Sequence, residues 1–208
     1  MTESNLLFLV PRSIYALRQE AEIMKRMNQH GCDARFINEG EKMHQLVQSL
    51  GEQQEDAQRK AKEATQTLWD TRQYIHDRYM LHLKLSRVAL KDDAAAAEKL
   101  GFKGIRKTRL NEWLRQTNQF YRHALEYADT LEKYNIPRHE LEESKTLLGQ
   151  LIALSALQQK AQSQAQLLTQ KKQEELTQLE RWYRRLIRVA HIALEDEPQQ
   201  LEALGVVV

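Results

Sequence analysis

The chain has few residues that interrupt regular secondary structure: its 208 residues include 7 glycines and 3 prolines. An all-β protein needs a turn about every 8–12 residues, so this scarcity excludes an all-β fold. Cys32 is the single cysteine, which excludes an internal disulfide and any metal site built from several cysteines. We expect Cys32 to be a small side chain in a turn between helices.

Neither sign of charge dominates, because 31 Lys and Arg against 29 Asp and Glu give a formal net charge of +2. With 41% hydrophobic residues, this balance excludes a disordered chain of high net charge. The apolar run at residues 6–10 is far shorter than the roughly 20 residues of a transmembrane helix. It also lacks the basic segment and cleavage site of a signal peptide. We therefore expect a cytoplasmic protein without a transmembrane segment.

What the chain does contain is an internal repeat. Residues 89–101 (ALKDDAAAAEKLG) and 193–205 (ALEDEPQQLEALG) align at an offset of 104 residues. The same offset pairs Gln54 with Gln158 and Thr65 with Thr169. A period of this length is too long for a solenoid unit. The sequence therefore predicts one helical-bundle domain, residues 1–208, made of two tandem copies at about 1–104 and 105–208.

Each copy is predicted to contain a short helix followed by a long one. The short helices are expected at about 12–29 and 112–133, ended by Gly31 and Asn135, residue types that favour a left-handed helix stop. The long helices are expected at about 36–90 and 140–194, which contain no proline and carry apolar residues at heptad spacing. Gly40, within the first long helix, aligns with Ser144 of the second copy at the offset of 104. The repeat therefore does not require a glycine at this position.

These elements predict an all-α fold, an elongated antiparallel helical bundle or coiled coil built from two copies of a short-helix plus long-helix unit. Gln54 and Gln158 interrupt the same layer of the heptad pattern in both copies. Two interpretations stay open: a buried polar pair that sets helix register, or solvated side chains.

Patterns typical of catalysis or metal binding are sparse. A di-iron carboxylate bundle needs two Glu-x-x-His motifs, and only Glu41 with His44 matches. The equivalent residues of the other copy, Lys145 and Leu148, cannot replace the missing ligands. No phosphate-binding glycine motif is present. We therefore expect no enzyme activity, no catalytic residue, no cofactor and no metal.

Two basic clusters are candidate surfaces for an anionic partner. The first surrounds the linker between the copies: Lys103, Arg106, Lys107 and Arg109. The second occupies one face of the last long helix, at spacing i, i+3, i+4 and i+7: Arg181, Arg184, Arg185 and Arg188. Such a stripe can bind phosphates. The alternative, which the low net charge favours, is a solvated face paired with Glu174, Glu175 and Glu180.

One resemblance rests on the linker LGFKGIRK at residues 100–107, on Trp113 with Phe120-Tyr121, and on the ending ALEDEPQQLEALG at residues 193–205. On these residues the chain resembles a bacterial group of tandem-duplicated helical-bundle proteins to which no activity is assigned. The resemblance implies a bacterial helical bundle and carries over no functional residue.

The expected function is that of a non-enzymatic structural, adaptor or assembly protein acting through helix surfaces. Long helices offer a large surface and little concavity, whereas small-molecule sites are concave. A nucleic-acid-binding helical protein that uses the arginine stripe is the first alternative. A ligand-binding helical bundle and a membrane-active amphipathic bundle are the others. The expected partners are proteins, a homodimer included.

Overall fold

A computed structural model describes residues 1–205; the end of the second predicted copy, 206–208, lies outside this range. The chain is 85% helical and contains no strand within the described residues, which confirms the predicted all-α class. Its α-helices are α1 (Glu3–Gln19), α2 (Ala21–Gln29), α3 (Ala34–Ala89), α4 (Ala94–Lys99), α5 (Leu110–Ala124), α6 (Ala128–Glu132) and α7 (Arg138–Ala193). Two 3₁₀ helices follow α5 and α7, at Leu125–Tyr127 and Pro198–Leu204. No helix within residues 1–205 combines the length and the apolar content needed to cross a membrane.

The chain divides into two compact units. Unit 1 combines Met1–Arg59 with the chain from Ser163 onward, and unit 2 is Lys60–Gln162. Each unit has its own apolar core. The division cuts across the two predicted copies, because the first part of α3 belongs to unit 1 and the remainder to unit 2, while α7 is divided in the reverse order.

The two long helices agree with the predicted ranges to within two residues. Each has 56 residues, and each begins and ends at an offset of 104 from the other. Within unit 1, residues 36 and 54 of α3 contact residues 182 and 169 of α7, so the two helices run antiparallel. Within unit 2, contacts of residues 65 and 78 with residues 158 and 143 give the same orientation.

The paired glutamines both form hydrogen bonds to a threonine of the facing helix. In unit 1, Gln54 Nε2 donates to Thr169 Oγ1 at 3.0 Å. In unit 2, Gln158 Nε2 donates to Thr65 Oγ1 at 3.3 Å. The four residues form two equivalent pairs at the offset of 104. These bonds link α3 to α7 at equivalent places in the two units. Because both glutamines are half-buried, they are neither the buried polar pair nor the fully solvated side chains of the two interpretations.

The turn that ends each short-helix segment has the same geometry in both halves of the chain. Gly31 has φ 81° and Asn135 has φ 61°, the left-handed conformation expected at a helix stop. The next amides, of Cys32 and Ile136, donate to the carbonyls five residues earlier, at 3.0 and 3.1 Å. Both side chains are fully buried, so each turn directs the chain from a short helix into a long one.

The sequence predicts one short helix at about 12–29 and one at about 112–133, but each is divided: into α1 and α2 at Glu20, and into α5 and α6 by the 3₁₀ turn at Leu125–Tyr127. Helix α1 also begins earlier than predicted and runs through Pro11. Pro11 has no backbone N–H to donate to the carbonyl of Leu7, four residues earlier. That carbonyl oxygen lies 3.1 Å from Nε2 of the buried His44 on α3. The predicted boundary was wrong because a side chain from another helix replaces the hydrogen bond that the proline removes.

Gly40 is required by packing in unit 1, although the repeat pattern did not require it. The indole of Trp182 stacks on Phe36 with ring centroids 5.1 Å apart, and its Nε1 donates to Phe36 O at 3.0 Å. This places the ring directly over Gly40, where an added Cβ would lie 2.1 Å from Trp182 Cζ2. A rigid indole held on two sides leaves no room for a side chain at this position.

We expect Gly40→Ala to lower the free energy of unfolding, because the added methyl group overpacks the Trp182 ring at a cost of about 1–3 kcal/mol, of which the gain from a helix-interior alanine offsets only about 0.5–1 kcal/mol. Gly149→Ala is the matched control, since Gly149 is exposed within α7 and an added Cβ meets no atom within 4 Å. A helix-interior alanine there should stabilise the chain by about 0.5–1 kcal/mol. Urea unfolding, monitored by circular dichroism, measures the free energy of unfolding of both variants. Equal stability of Gly40→Ala and the parent chain would contradict the packing argument.

Candidate functional site

The arginine face is a set of four exposed arginines in the second half of α7, within unit 1: Arg181, Arg184, Arg185 and Arg188. Their spacing puts them on one side of the helix. Trp182 and Leu186, which alternate with them along the chain, are buried in the core of unit 1. The core contacts therefore fix the direction in which the arginine face points.

Few acidic side chains neutralise the arginine face. Arg184 Nη2 forms an ion pair with Glu180 Oε1 at 2.8 Å, and this hydrogen bond is the main reason that the pKa of Glu180 is lowered. The other three arginines form no ion pair with a carboxylate within residues 1–205. Glu174 and Glu175, which the sequence offered as partners, form none in that range either. The face therefore keeps most of its positive charge.

Arg185 is exposed to water, but its side chain also packs against an aromatic ring. Its guanidinium carbon lies 5.1 Å from the centre of the Phe36 ring, a cation–π contact. Phe36 is itself stacked on Trp182. Arg185 thus has a restrained position. Arg184 and Arg188 have contacts too: Arg184 pairs with Glu180, and Arg188 Nε donates to Arg184 O at 3.2 Å.

An open groove of about 610 Å³ adjoins the arginine face. Its lining consists of Met1, Tyr183, Arg184, Ile187, Arg188 and His191. Ile187 is half-buried and Tyr183 only 5% exposed, so together they form a narrow apolar strip along the floor of the groove. Arg184 and Arg188 supply two guanidinium groups beside it. This combination suits a ligand surface that is apolar on one side and negatively charged at its edges.

The basic residues of the linker lie in unit 2, so the eight predicted residues are not brought together within one unit. Arg106 is half-buried, and its guanidinium donates to Tyr79 Oη at 2.8 Å and to Gly101 O at 2.9 Å. Its charge is therefore engaged in holding the linker. The other three residues of this cluster are exposed: Lys103, Lys107 and Arg109.

Unit 2 also contains a polar cluster that links α3, α5 and α7. Its members are Arg78, His82, Tyr121, Glu140, Glu143 and Ser144. His82 Nε2 lies 3.2 Å from Glu140 Oε2, and His82 Nδ1 lies 3.3 Å from Tyr121 Oη. Arg78 Nη2 lies 3.6 Å from the same oxygen of Glu140 and donates to Glu143 Oε2 at 2.8 Å. A charged pair is thus connected to two buried, ionisable rings.

Burial determines the protonation of these two rings. Desolvation lowers the pKa of His82, although its hydrogen bond to Glu140 acts in the opposite direction. Desolvation also raises the pKa of Tyr121 to about 12. The side chain of His82 is only 2% exposed. Near neutral pH the cluster therefore holds a neutral imidazole and a neutral phenol beside the Arg78–Glu140 ion pair.

The sequence analysis did not predict the polar cluster. Comparison of the two copies at the offset of 104 could have indicated it, because polar residues of one copy align with apolar residues or glycine of the other. The equivalent residues in unit 1 are Phe36 for Glu140, Trp182 for Arg78, Leu186 for His82, Leu17 for Tyr121 and Gly40 for Ser144. The core of unit 1 is therefore apolar where unit 2 carries charged and polar groups. Because polar groups cost free energy to bury unless they are paired, five such replacements mark a true difference between the two units.

Glu41 and His44, the one Glu-x-x-His match, both contact other parts of the protein, and Cys32 is buried. The carboxylate of Glu41 accepts from both terminal nitrogens of Arg18, at 3.0 and 2.7 Å, and His44 contacts Leu7 O. Desolvation raises the pKa of the buried Cys32 thiol, which favours its protonated form. Within residues 1–205, no three His, Cys, Asp or Glu side chains are grouped closely enough to hold a metal ion.

Comparison with known proteins gave no matching family model, no matching curated protein and no matching solved structure. The resemblance to bacterial tandem-duplicated helical bundles and the cytoplasmic location therefore stay predictions.

Acidification should destabilise the protein through His82. In the unfolded chain its pKa returns to the usual value near 6.5, whereas burial keeps the pKa of the folded form lower. As the pH falls through about 6.5, the unfolded chain binds a proton that the folded chain does not, so the free energy of unfolding decreases. His82→Leu introduces the residue type that unit 1 buries at the equivalent position, Leu186. This variant should lose less stability between about pH 7.5 and about pH 5.5 than the parent chain.

Urea unfolding at the two pH values measures this difference. His30→Gln is the control, because His30 is exposed and lies outside the polar cluster. That variant should keep the pH dependence of the parent chain. An unchanged pH dependence in His82→Leu would show that His82 does not control acid stability.

Proposed function

We propose that this chain is a non-enzymatic adaptor or assembly protein that binds an acidic partner protein through the arginine face and the adjoining groove. The observation that carries the proposal is the placement of Arg184 and Arg188 beside the apolar strip of Tyr183 and Ile187. Three of the four arginines of the face have no described carboxylate as a partner. An incoming carboxylate can therefore pair directly with Arg188, whereas at Arg184 it competes with Glu180, whose Oε1 lies 2.8 Å from Arg184 Nη2.

The geometry favours an amphipathic helix as the bound element of the partner. Such a helix places apolar anchors at i, i+3, i+4 and i+7 into a groove, and its flanking side chains meet the edges. Here the edges are guanidinium groups, which bind carboxylates in a bidentate geometry. The partner helix should therefore carry Asp or Glu beside an apolar stripe.

We also propose that the chain arose by tandem duplication and that only one copy carries the binding face. Support comes from the equal long helices, the equivalent turns at Gly31 and Asn135, and the two Gln–Thr pairs, all at an offset of 104. The positions equivalent to the arginine face hold Asp77, Met80, Leu81 and Lys84. The cluster of arginines is thus specific to α7.

The test uses the full chain and a fluorescent synthetic helix with leucines on one face and glutamates on the other. Arg181→Gln, Arg184→Gln and Arg188→Gln are combined, while Arg185 is kept because it packs on Phe36. We expect the triple variant to bind the peptide about 3- to 100-fold more weakly, since exposed ion pairs contribute about 0.2–1 kcal/mol each. Fluorescence anisotropy measures the affinity.

A charge-matched control combines Lys145→Gln, Lys160→Gln and Lys171→Gln, three exposed lysines of the same helix. It should bind like the parent chain. Equal losses in both variants, or no binding at low salt, would overturn the proposal. A DNA duplex tested in parallel separates the nucleic-acid alternative: duplex binding that depends on the arginines, without peptide binding, would favour that alternative instead.

A further inference from the structure

The linker between α4 and α5 presents an apolar side chain to water. Ile105 is 87% exposed, the largest exposed fraction among the large hydrophobic side chains of the described residues. Lys103, Lys107 and Arg109 surround it in sequence and are exposed as well. Burying an isoleucine is favourable, so Ile105 and the cations beside it offer a partner one apolar contact within a basic surface.

The linker is held in a defined conformation by one of its own side chains, Arg106, and by Arg87 of α3. Arg106 donates to the carbonyls of Gly101, Lys103 and Gly104 at 2.9, 3.0 and 3.1 Å. Arg87 donates to the carbonyl of Phe102, whose ring is buried in the core of unit 2. Side chains thus satisfy four carbonyls between residues 101 and 104.

The second part of the linker is fixed in the same way. Gln116 donates from Nε2 to Ile105 O at 3.3 Å and accepts from Lys107 N at 3.0 Å. Arg72 donates to Thr108 O at 2.7 Å. The backbone on both sides of Ile105 is therefore anchored, and the linker is ordered before any partner binds. Such preorganisation removes much of the entropy loss that binding through a flexible loop would carry.

We infer that the linker, residues 101–109, is a second docking site, which inserts Ile105 into an apolar pocket of a protein partner whose rim carries Asp or Glu. Ile105 is the anchor, and Lys103, Lys107 and Arg109 meet the acidic rim. Of these three cations, only Lys107 forms an ion pair with a carboxylate of the described residues, with Nζ 4.0 Å from Glu112 Oε2. This site lies in unit 2 and does not depend on the arginine face of unit 1.

The charge and the small apolar surface decide between a protein and a membrane as the occupant. Anionic lipids attract the same three cations. Stable attachment to a bilayer, however, takes more apolar surface than one side chain supplies, or a second anchor. A protein pocket can enclose a single preorganised anchor completely, and such anchors contribute much of the affinity of protein interfaces. The observations therefore favour a protein pocket.

The experiment places a photoreactive aliphatic diazirine residue at position 105 of the full chain and irradiates it in an extract of the cells that express it. We expect one discrete protein adduct, whose cross-linked peptide is apolar and flanked by Asp or Glu. Adding unlabelled parent chain in excess should compete with the adduct. Ile105→Ser as the competitor should be less effective by about tenfold or more, because it lacks the anchor.

Matched controls separate this site from general stickiness. The same photoreactive residue at Ile152, an isoleucine of unit 2 that is 58% exposed on α7, should give no such adduct. A competitor with Lys103→Gln, Lys107→Gln and Arg109→Gln should also be weaker, whereas the Arg181, Arg184 and Arg188 variant should compete like the parent chain. If the variant of Arg181, Arg184 and Arg188 is the one competitor that does not reduce the adduct, the adduct belongs to the arginine face instead.

Three results would overturn the inference: no discrete adduct at position 105, an identical adduct from position 152, or a cross-linked peptide without acidic residues. A lipid adduct, together with binding to phosphatidylserine vesicles that Ile105→Ser abolishes, would assign the linker to a membrane instead. Unfolding by urea should give the same stability for Ile105→Ser and the parent chain, because Ile105 is almost fully exposed.

Discussion

The antiparallel contact between α3 and α7 is the interaction on which each unit depends. A long helix with a narrow apolar stripe cannot bury that stripe alone, so each half of α3 requires the opposite half of α7. The Gln54–Thr169 and Gln158–Thr65 bonds join the two helices at equivalent positions in the two units. The short helices then cover the apolar side chains that the pair leaves exposed, as the cores of both units show. The direction of every exposed side chain on α3 and α7 follows from this packing.

Equivalent positions in the two halves carry side chains of different chemistry, although the helices around them are arranged in the same way. Unit 1 stacks Trp182 on Phe36 and requires a glycine at residue 40 beneath the indole. Unit 2 has Arg78 and Glu140 at the positions of these two aromatic residues, where they form an ion pair. An aromatic stack and an ion pair do not substitute for each other, since either charge placed against an apolar ring would lose its partner.

The two candidate surfaces use positive charge in different ways. On α7 the arginines lie beside an open apolar groove and most lack acidic partners, so they suit an extended partner surface. In the linker, Arg106 holds the backbone, and the exposed cations surround one rigid apolar side chain, Ile105. The net charge of +2 conceals both arrangements, because acidic residues elsewhere balance the total. Local placement of charge, and not its sum, determines what each surface can bind.

The sequence by itself determined the helical class, the extent of the two long helices and the turns at Gly31 and Asn135, because helix periodicity and left-handed helix stops are local properties. It also located the exposed arginine face from spacing alone. Only the tertiary structure decided that α1 continues through Pro11, that Gly40 lies under an indole, and that His82 contacts Glu140 and Tyr121. It also decided that Arg106 holds the linker while Ile105 points to water. Each of these depends on residues distant in the chain, whose meeting is set by how α3 packs on α7 and not by any local pattern.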